Sequence, residues 1–289
     1  MPQDHYLPQF YQKRWAVKGK QLFVYQRPND RVVVARKPPR ATGWKDDLYT
    51  THGVPAERTT ELEDTFWRLI DQWGSNSLTI LESSDPEQAT NLDRARWVTF
   101  MMSLVFRNPQ QVDRINKAAE SHYATGFAGF ASRYDELRQA HEPDTYDEFM
   151  ALFQKPGISE LGGKILRAFT LNRPIREYLA NMAWYVVIDS PIPLLTSDNP
   201  VIRYKGLKDS DGLWMLPIGP NQFFVAFNRG EIDMQGWISH SISDGHFIES
   251  MNKYVVQHAI KYVYGIDDTQ VDFVERYLPT EPLPLEQFL

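Results

Sequence analysis

The chain has 289 residues, 42% of them hydrophobic and 24% charged, and no cysteine. That length buries a substantial core without cross-links, and the lack of thiols excludes a disulfide scaffold, a thiolate zinc site, an iron–sulfur cluster and a cysteine nucleophile. The formal net charge of −6 conceals a split: residues 1–45 hold ten Lys and Arg against only Asp4 and Asp30, so the rest of the chain is strongly acidic.

A basic end on an acidic body suits an anionic ligand or a self-docking face, while a solvated basic surface is the commoner arrangement. Aromatic residues at 13% argue against disorder. The N-terminus lacks the apolar stretch of a secretory signal. The longest apolar run, residues 97–106, is broken by Thr99 and Ser103 and falls far short of the ~20 residues a membrane span needs. A cytoplasmic protein with no membrane association is expected.

Residues 21–26 and 31–36 are rich in β-branched and aromatic side chains, with Arg27-Pro-Asn-Asp between them as a turn, which predicts a hairpin. Pro38-Pro39 ends it, and a polar loop runs to about Glu57. Thr60 with Glu63 three residues on reads as a capping box. It opens a helix with Leu62, Phe66, Leu69, Ile70 and Trp73 on one face and Gly74 as its stop. Residues 91–106 read as a mostly buried helix. Asn108 and Pro109 suit the N-cap and first turn of another, which runs to about residue 140 with Gly126 and Gly129 as weak points. Further helices are predicted over 144–154, 159–171 and 174–188. Strands are predicted at 193–196, 201–204, 213–216 and 222–227, punctuated by Pro217, Gly219 and Pro220. A helix over about 244–261, a strand at 262–265 and an extended Pro-containing tail at 278–289 close the chain.

The expected architecture is a single α+β domain over residues 1–289, β-rich at 1–40, helical at 58–189, and β-rich with one helix at 190–266. The economical arrangement pairs the N-terminal hairpin with the C-terminal strands in one mostly antiparallel sheet packed against the helical middle. It would bring residue 5 near residue 198.

The common phosphate-loop, dinucleotide, zinc-helix and serine-elbow motifs are absent. Four places carry candidate chemistry. His5 is flanked by Tyr6, Phe10 and Tyr11 and followed by Lys13 and Arg14: a histidine near neutrality exchanges protons, whereas the plain reading is an N-terminal segment pinned by its aromatics. Asp198, in Thr196-Ser-Asp-Asn-Pro200, is either a strand-ending Asx turn or a carboxylate held at a sheet edge. Arg107, at the end of the apolar helix, serves either the helix dipole or an anion. Asn252 opens an apolar helix and belongs to a polar group with His240, Asp244, His246 and Glu249. The spacing of that group offers only a weak metal signal against ordinary solvated turns.

These same places resemble the family known as domain of unknown function 4238. The resemblance rests on His-Tyr-x-Pro-x-Phe-Tyr at 5–11, Arg107-Asn-Pro109, Thr-Ser-Asp-Asn-Pro at 196–200, Leu216-Pro-Ile-Gly-Pro220, Asn252, and Ala259-Ile-Lys-Tyr-Val-Tyr264. It spans residues 5 to about 265. Arg14-Trp15 departs from an expected Leu-Arg-x-Phe ending but keeps an aromatic. The resemblance implies one shared site and carries no assigned activity.

Two functions are expected from different classes. In the first, His5, Asp198, Arg107 and Asn252 converge as acid or base, orienting carboxylate and charge stabiliser, with Tyr6, Lys13, Arg14 and Asn199 contacting substrate. That is a nuclease-like phosphodiester hydrolase acting on nucleic acid or a nucleotide, of the type used as a toxin or effector in bacterial defence. Its cofactor is left open, a divalent metal among the options. In the second, the same residues form a structural polar network and function lies in a partner surface, such as the 38–57 loop or the tail.

Overall fold

The computed structural model describes residues 3–83, 86–230 and 245–284, with Asp233, Gly236 and His240 between them. Antiparallel ladders around a long helical middle make the fold α+β. Among the described residues the strands form three sheets. β1 (Gln3–His5) pairs with β4 (Trp44–Asp46) in a two-stranded ribbon. The predicted hairpin, β2 (Leu22–Gln26) and β3 (Val33–Lys37), is joined on the β2 side by β10 (Val263–Gly265) and then β6 (Thr196–Ser197). A further sheet has the order β5-β9-β8-β7, from Ala183–Val187, Gln222–Phe227, Leu213–Gly219 and Ile202–Tyr204.

The expectation of one sheet shared by both ends is therefore corrected. The hairpin does meet C-terminal strands, but only β10 and β6. The other C-terminal strands, β7, β8 and β9, form a sheet of their own, and residues 183–187, predicted as helix, join its edge as β5. This segment is Ala-Trp-Tyr-Val-Val, and all five residues pair with β9, from Ala183 opposite Phe227 to Val187 opposite Phe223. Cross-strand packing of aromatic and β-branched side chains outweighs a helical period that Val186 matched by coincidence. β8 passes through Pro217, with a register shift between Pro217 and Gly219, the bulge position where a strand tolerates proline.

The helices are α1 (Gln9–Gln12), α2 (Arg68–Ser83), α3 (Asn91–Phe106), α4 (Pro109–Ala131), α5 (Tyr134–Leu137), α6 (Tyr146–Thr170), α7 (Arg173–Asn181), α8 (His246–Gln257) and α9 (Val271–Tyr277). No described helix is long and apolar enough to cross a membrane. Nearly all of α3 from Trp97 onward is buried, the pattern of a helix apolar all round. It packs with α2, and Trp97 meets Phe224 of β9 edge-on at 5.4 Å. Asn108 caps α4 as predicted, its Oδ1 accepting from Gln111 N at 3.0 Å.

Four local readings need correction. The capping box does not form: the Thr60 hydroxyl bonds Asp64 Oδ2 at 2.6 Å, and the chain enters α2 through a π-helical turn, Leu62–Trp67. Gly74 is not a stop. It lies within α2 where a Cβ would stand 2.4 Å from the Phe100 ring, so α2 and α3 approach closely there. The two helices predicted around Pro156 are one, α6. The Pro156 ring sits beneath Gly53, whose φ of +71° and lack of Cβ leave it room. The helix predicted to reach residue 140 ends at Ala131, and α5 follows. β1, β4 and α9 are too short to have been read from pattern.

Gly74→Ala is expected to lower stability by about 1–3 kcal/mol, because a methyl there overpacks a rigid helix contact. A thermal melt superimposable on that of the native protein would show that α2 and α3 give way freely at this point.

Candidate functional site

The N-terminal segment is clasped to the sheets by hydrogen bonds from Tyr6, Tyr11, Arg14 and Trp15. Tyr6 Oη donates to Asp198 Oδ2 at 3.3 Å. Tyr11 Oη donates to Pro217 O at 2.7 Å and lies 2.7 Å from Thr196 Oγ1. Trp15 Nε1 donates to Leu194 O at 2.8 Å, and Arg14 Nε to Ile218 O at 2.8 Å. The head of the chain thus comes to β6 and β8. Three stretches of the sequence, 5–15, 194–198 and 217–218, are one hydrogen-bonded unit.

Asp198 is the centre of that unit. Besides Tyr6, it accepts from the backbone N–H groups of Ile260, Lys261 and Tyr262 at 2.8, 2.9 and 3.1 Å. Burial pushes its carboxyl up to about 6 against the pull of these donors. Asn252 is a second bracket: its Oδ1 accepts from Leu195 N at 2.8 Å and its Nδ2 donates to Pro193 O at 3.0 Å. Asn199 Nδ2 donates to His258 O at 3.0 Å. Lys13 is exposed.

His5 and Arg107 lie elsewhere. Tyr6 faces Asp198, whereas the neighbouring His5 side chain meets Gln9 and lies where the Arg107 charge acts on it. The expected convergence of His5, Asp198, Arg107 and Asn252 therefore divides. His5 and Arg107 share a site. Asp198 and Asn252 hold backbone, and among the described residues no contact joins either of them to His5 or Arg107.

The site around Arg107 is built from four pieces of chain. β1, paired with β4, supplies Asp4 and His5. Asp4 turns inward, 2% exposed, and its Oδ2 accepts from Tyr49 N at 2.9 Å. The π turn brings Glu63 and Trp67 to the same side, and Asp71 follows one helical turn later. Such turns are rare and recur at functional sites. Arg107 ends α3, fully buried. Its charge suits the negative end of that helix, its Nη1 donates to Asp71 Oδ1 at 2.7 Å, and its guanidinium lies over the Trp67 ring at 5.8 Å. The Tyr49 hydroxyl donates to the Arg107 carbonyl.

Burial drives the acids and the base of this site in opposite directions. Burial raises Asp4 and Asp71, with Arg107 pulling Asp71 back. Burial pushes Glu63 up to about 7, against the attraction of Arg107 and with the repulsion of Asp4 and Asp71. Burial lowers His5 and the Arg107 charge lowers it further, while backbone acceptors at Arg40 and Gln3 work the other way. Gln9 Nε2 stands 3.3 Å from His5 Nε2 and orients the ring. Burial therefore shifts the His5 imidazole toward its neutral form and the Glu63 carboxyl toward its protonated form.

A cavity of about 360 Å³ is lined by Tyr49, Leu62, His52, Asn116, Glu120 and Ser159. Among the described residues no group of three or more His, Asp or Glu side chains is arranged to hold a metal ion. Of the weak metal group, Asp244 lies outside the described residues, His240 and Glu249 are exposed, and Asn252 is buried in its bracket.

Sequence reasoning missed Asp4, Tyr49, Glu63, Trp67 and Asp71. A signal was present: Glu63, Trp67 and Asp71 follow one another at four-residue spacing on one helical face. Glu63 had instead been assigned to a cap.

A family model described as a protein of unknown function, DUF4238, matches residues 3–269. No curated protein and no solved structure matches the chain.

Asp198→Asn places an N–H against backbone donors. It is expected to cost about 1–3 kcal/mol, a fall of roughly 3–8 °C in melting temperature, without changing any activity per folded molecule. An unchanged melt would show that the clasp does not hold the fold.

Proposed function

We propose, for a chain that belongs to the DUF4238 family, a nuclease-like hydrolase of phosphodiesters whose acid–base centre is Glu63 with His5 and whose charge stabiliser is Arg107. The observation that carries this reading is the pairing of a lowered imidazole and a raised carboxyl beside one buried guanidinium. Neutral His5 can accept a proton from water or a hydroxyl. Protonated Glu63 can give one to the leaving oxygen, and Arg107 can meet the charge that develops on the phosphoryl oxygens. The exposed Arg40 and Lys45, the latter directly opposite Asp4 in the ribbon, place part of the basic N-terminal segment at the rim, where it attracts a nucleic acid or nucleotide. Compared with the expectation from sequence, Glu63 takes the place of Asp198 and Asn252. An activity of this kind suits a toxin-type effector of bacterial defence in the cytoplasm.

A second reading, a non-catalytic interaction module, is favoured by the hydrogen bonds that occupy Asp198, Asn252, Arg14 and Tyr6. The two readings differ in what His5 and Glu63 do.

The test is incubation of the purified chain with RNA and DNA oligonucleotides, with Mg²⁺ and with chelator. Cleavage is expected to follow a bell: rate rises with pH as His5 loses its proton below its ordinary range, and falls as Glu63 ionises through about 7. His5→Ala and Glu63→Gln are each expected to reduce the rate by about 10²–10⁴. Absence of cleavage under every condition, or native rates in both variants, would favour the interaction module.

A further inference from the structure

We propose that the side-on edge of the Arg107 guanidinium, beside Trp67 and near Glu63, is the seat of one phosphodiester group, and that the anion enters together with a proton on the Glu63 carboxyl. The proposal deepens the hydrolase reading and takes the class of its ligand from it.

Burial of a guanidinium is costly unless its N–H groups find acceptors. Arg107 is 0% exposed, and only Nη1 is paired, to Asp71. Nε and Nη2 have no hydrogen-bond partner among the described residues. These two nitrogens lie on one edge of the planar group, the edge whose parallel N–H bonds match two oxygens of a phosphate. The side chain cannot relieve the burial by losing its proton. An oriented donor pair is thus left without acceptors inside the protein, while His5, Glu63 and Asp71 of the same site are partly exposed.

The acceptors already present explain why an anion needs a proton with it. Asp4 is engaged by Tyr49 N, and Asp71 by Nη1. Glu63 Oε2 is buried with no partner among the described residues. As a carboxylate it repels an incoming phosphate; as a carboxylic acid it donates to one. Among the described residues, the titratable and charged groups that face this site are Asp4 and His5 from β1, Tyr49 from the loop after β4, Glu63 from the π turn, Asp71 from α2, and Arg107 at the end of α3. Asp47 and Asp64 act on Asp4 from behind. The sign follows: a bound anion holds the Glu63 proton to higher pH than in the free protein. Affinity is therefore full below the free-state value of about 7 and declines as pH rises beyond it. His5 adds the same sign in a lower pH range.

The test is calorimetric titration of the full chain with dimethyl phosphate, a diester whose single charge does not change across the range used. Binding is expected to be about tenfold tighter at about pH 6 than at about pH 8.5, with proton uptake revealed by buffers of different ionisation enthalpy. Glu63→Gln, permanently neutral, is expected to bind equally at both. Arg107→Lys keeps the charge, loses the fork, and is expected to bind about tenfold more weakly at the lower pH. No saturable binding by the native protein at either pH overturns the proposal, as does native pH dependence in Glu63→Gln or native affinity in Arg107→Lys. Should Arg107→Lys not fold, the other two comparisons decide. The titration reads no turnover. Binding without cleavage would therefore overturn only the hydrolase reading, and cleavage without such binding only the phosphate seat.

Discussion

A carboxylate sealed inside the protein is tolerable only when its oxygens are filled with donors. Asp198 meets that condition with a tyrosine hydroxyl from one end of the chain and three consecutive backbone N–H groups from the other. The interaction fixes the turn before β10, and β10 is the strand that joins β6 to the hairpin. It also fixes Tyr6. Tyr6 directly follows His5 in the chain, so the hydrogen bond that holds Tyr6 at Asp198 also anchors the segment that carries the acid–base residue.

The helical side is governed by Arg107. A cation at the end of an apolar helix is favoured by the helix dipole, but this one is fully enclosed, over Trp67 and against Asp71. Burial drives the acid and the base apart: it pushes the Glu63 carboxyl up to about 7 and lowers the His5 imidazole. The Arg107 charge pulls both downward, restraining the rise of Glu63 and adding to the fall of His5. Opposed shifts of this kind let acid and base coexist near neutrality. Rigidity matters as well. The close approach of α2 to α3 at Gly74 and Phe100 holds Asp71 and Arg107, which those helices carry, at hydrogen-bond distance.

The motifs legible in the sequence turned out to be chiefly the clasp. His-Tyr-x-Pro-x-Phe-Tyr, Thr-Ser-Asp-Asn-Pro and Asn252 are recognisable because their residues bond to backbone at defined places, and a backbone partner tolerates little change in the side chain. The acid–base residues gave a fainter signal. Glu63 stands where a capping glutamate would, and nothing local reveals that the helix begins with a π turn that carries it inward. Gly74 and Pro156 misled for a related reason. Each is an ordinary helix breaker, yet each sits where a partner, Phe100 or Gly53, makes the continuous helix the better-packed solution.

What the order of amino acids settled was local and periodic: the 22–37 hairpin, the buried helix over 91–106, the Asn108 cap, and the α+β balance of strands at both ends around helices. These depend on alternation, helical period and capping chemistry within a few residues. What three-dimensional packing alone decided was the division into separate four-stranded sheets, the strand at 183–187, and the company each titratable side chain keeps. Proton affinity is set by desolvation and by charges within a few ångströms, and the residues that supply both to Glu63 and His5 come from segments up to a hundred positions away.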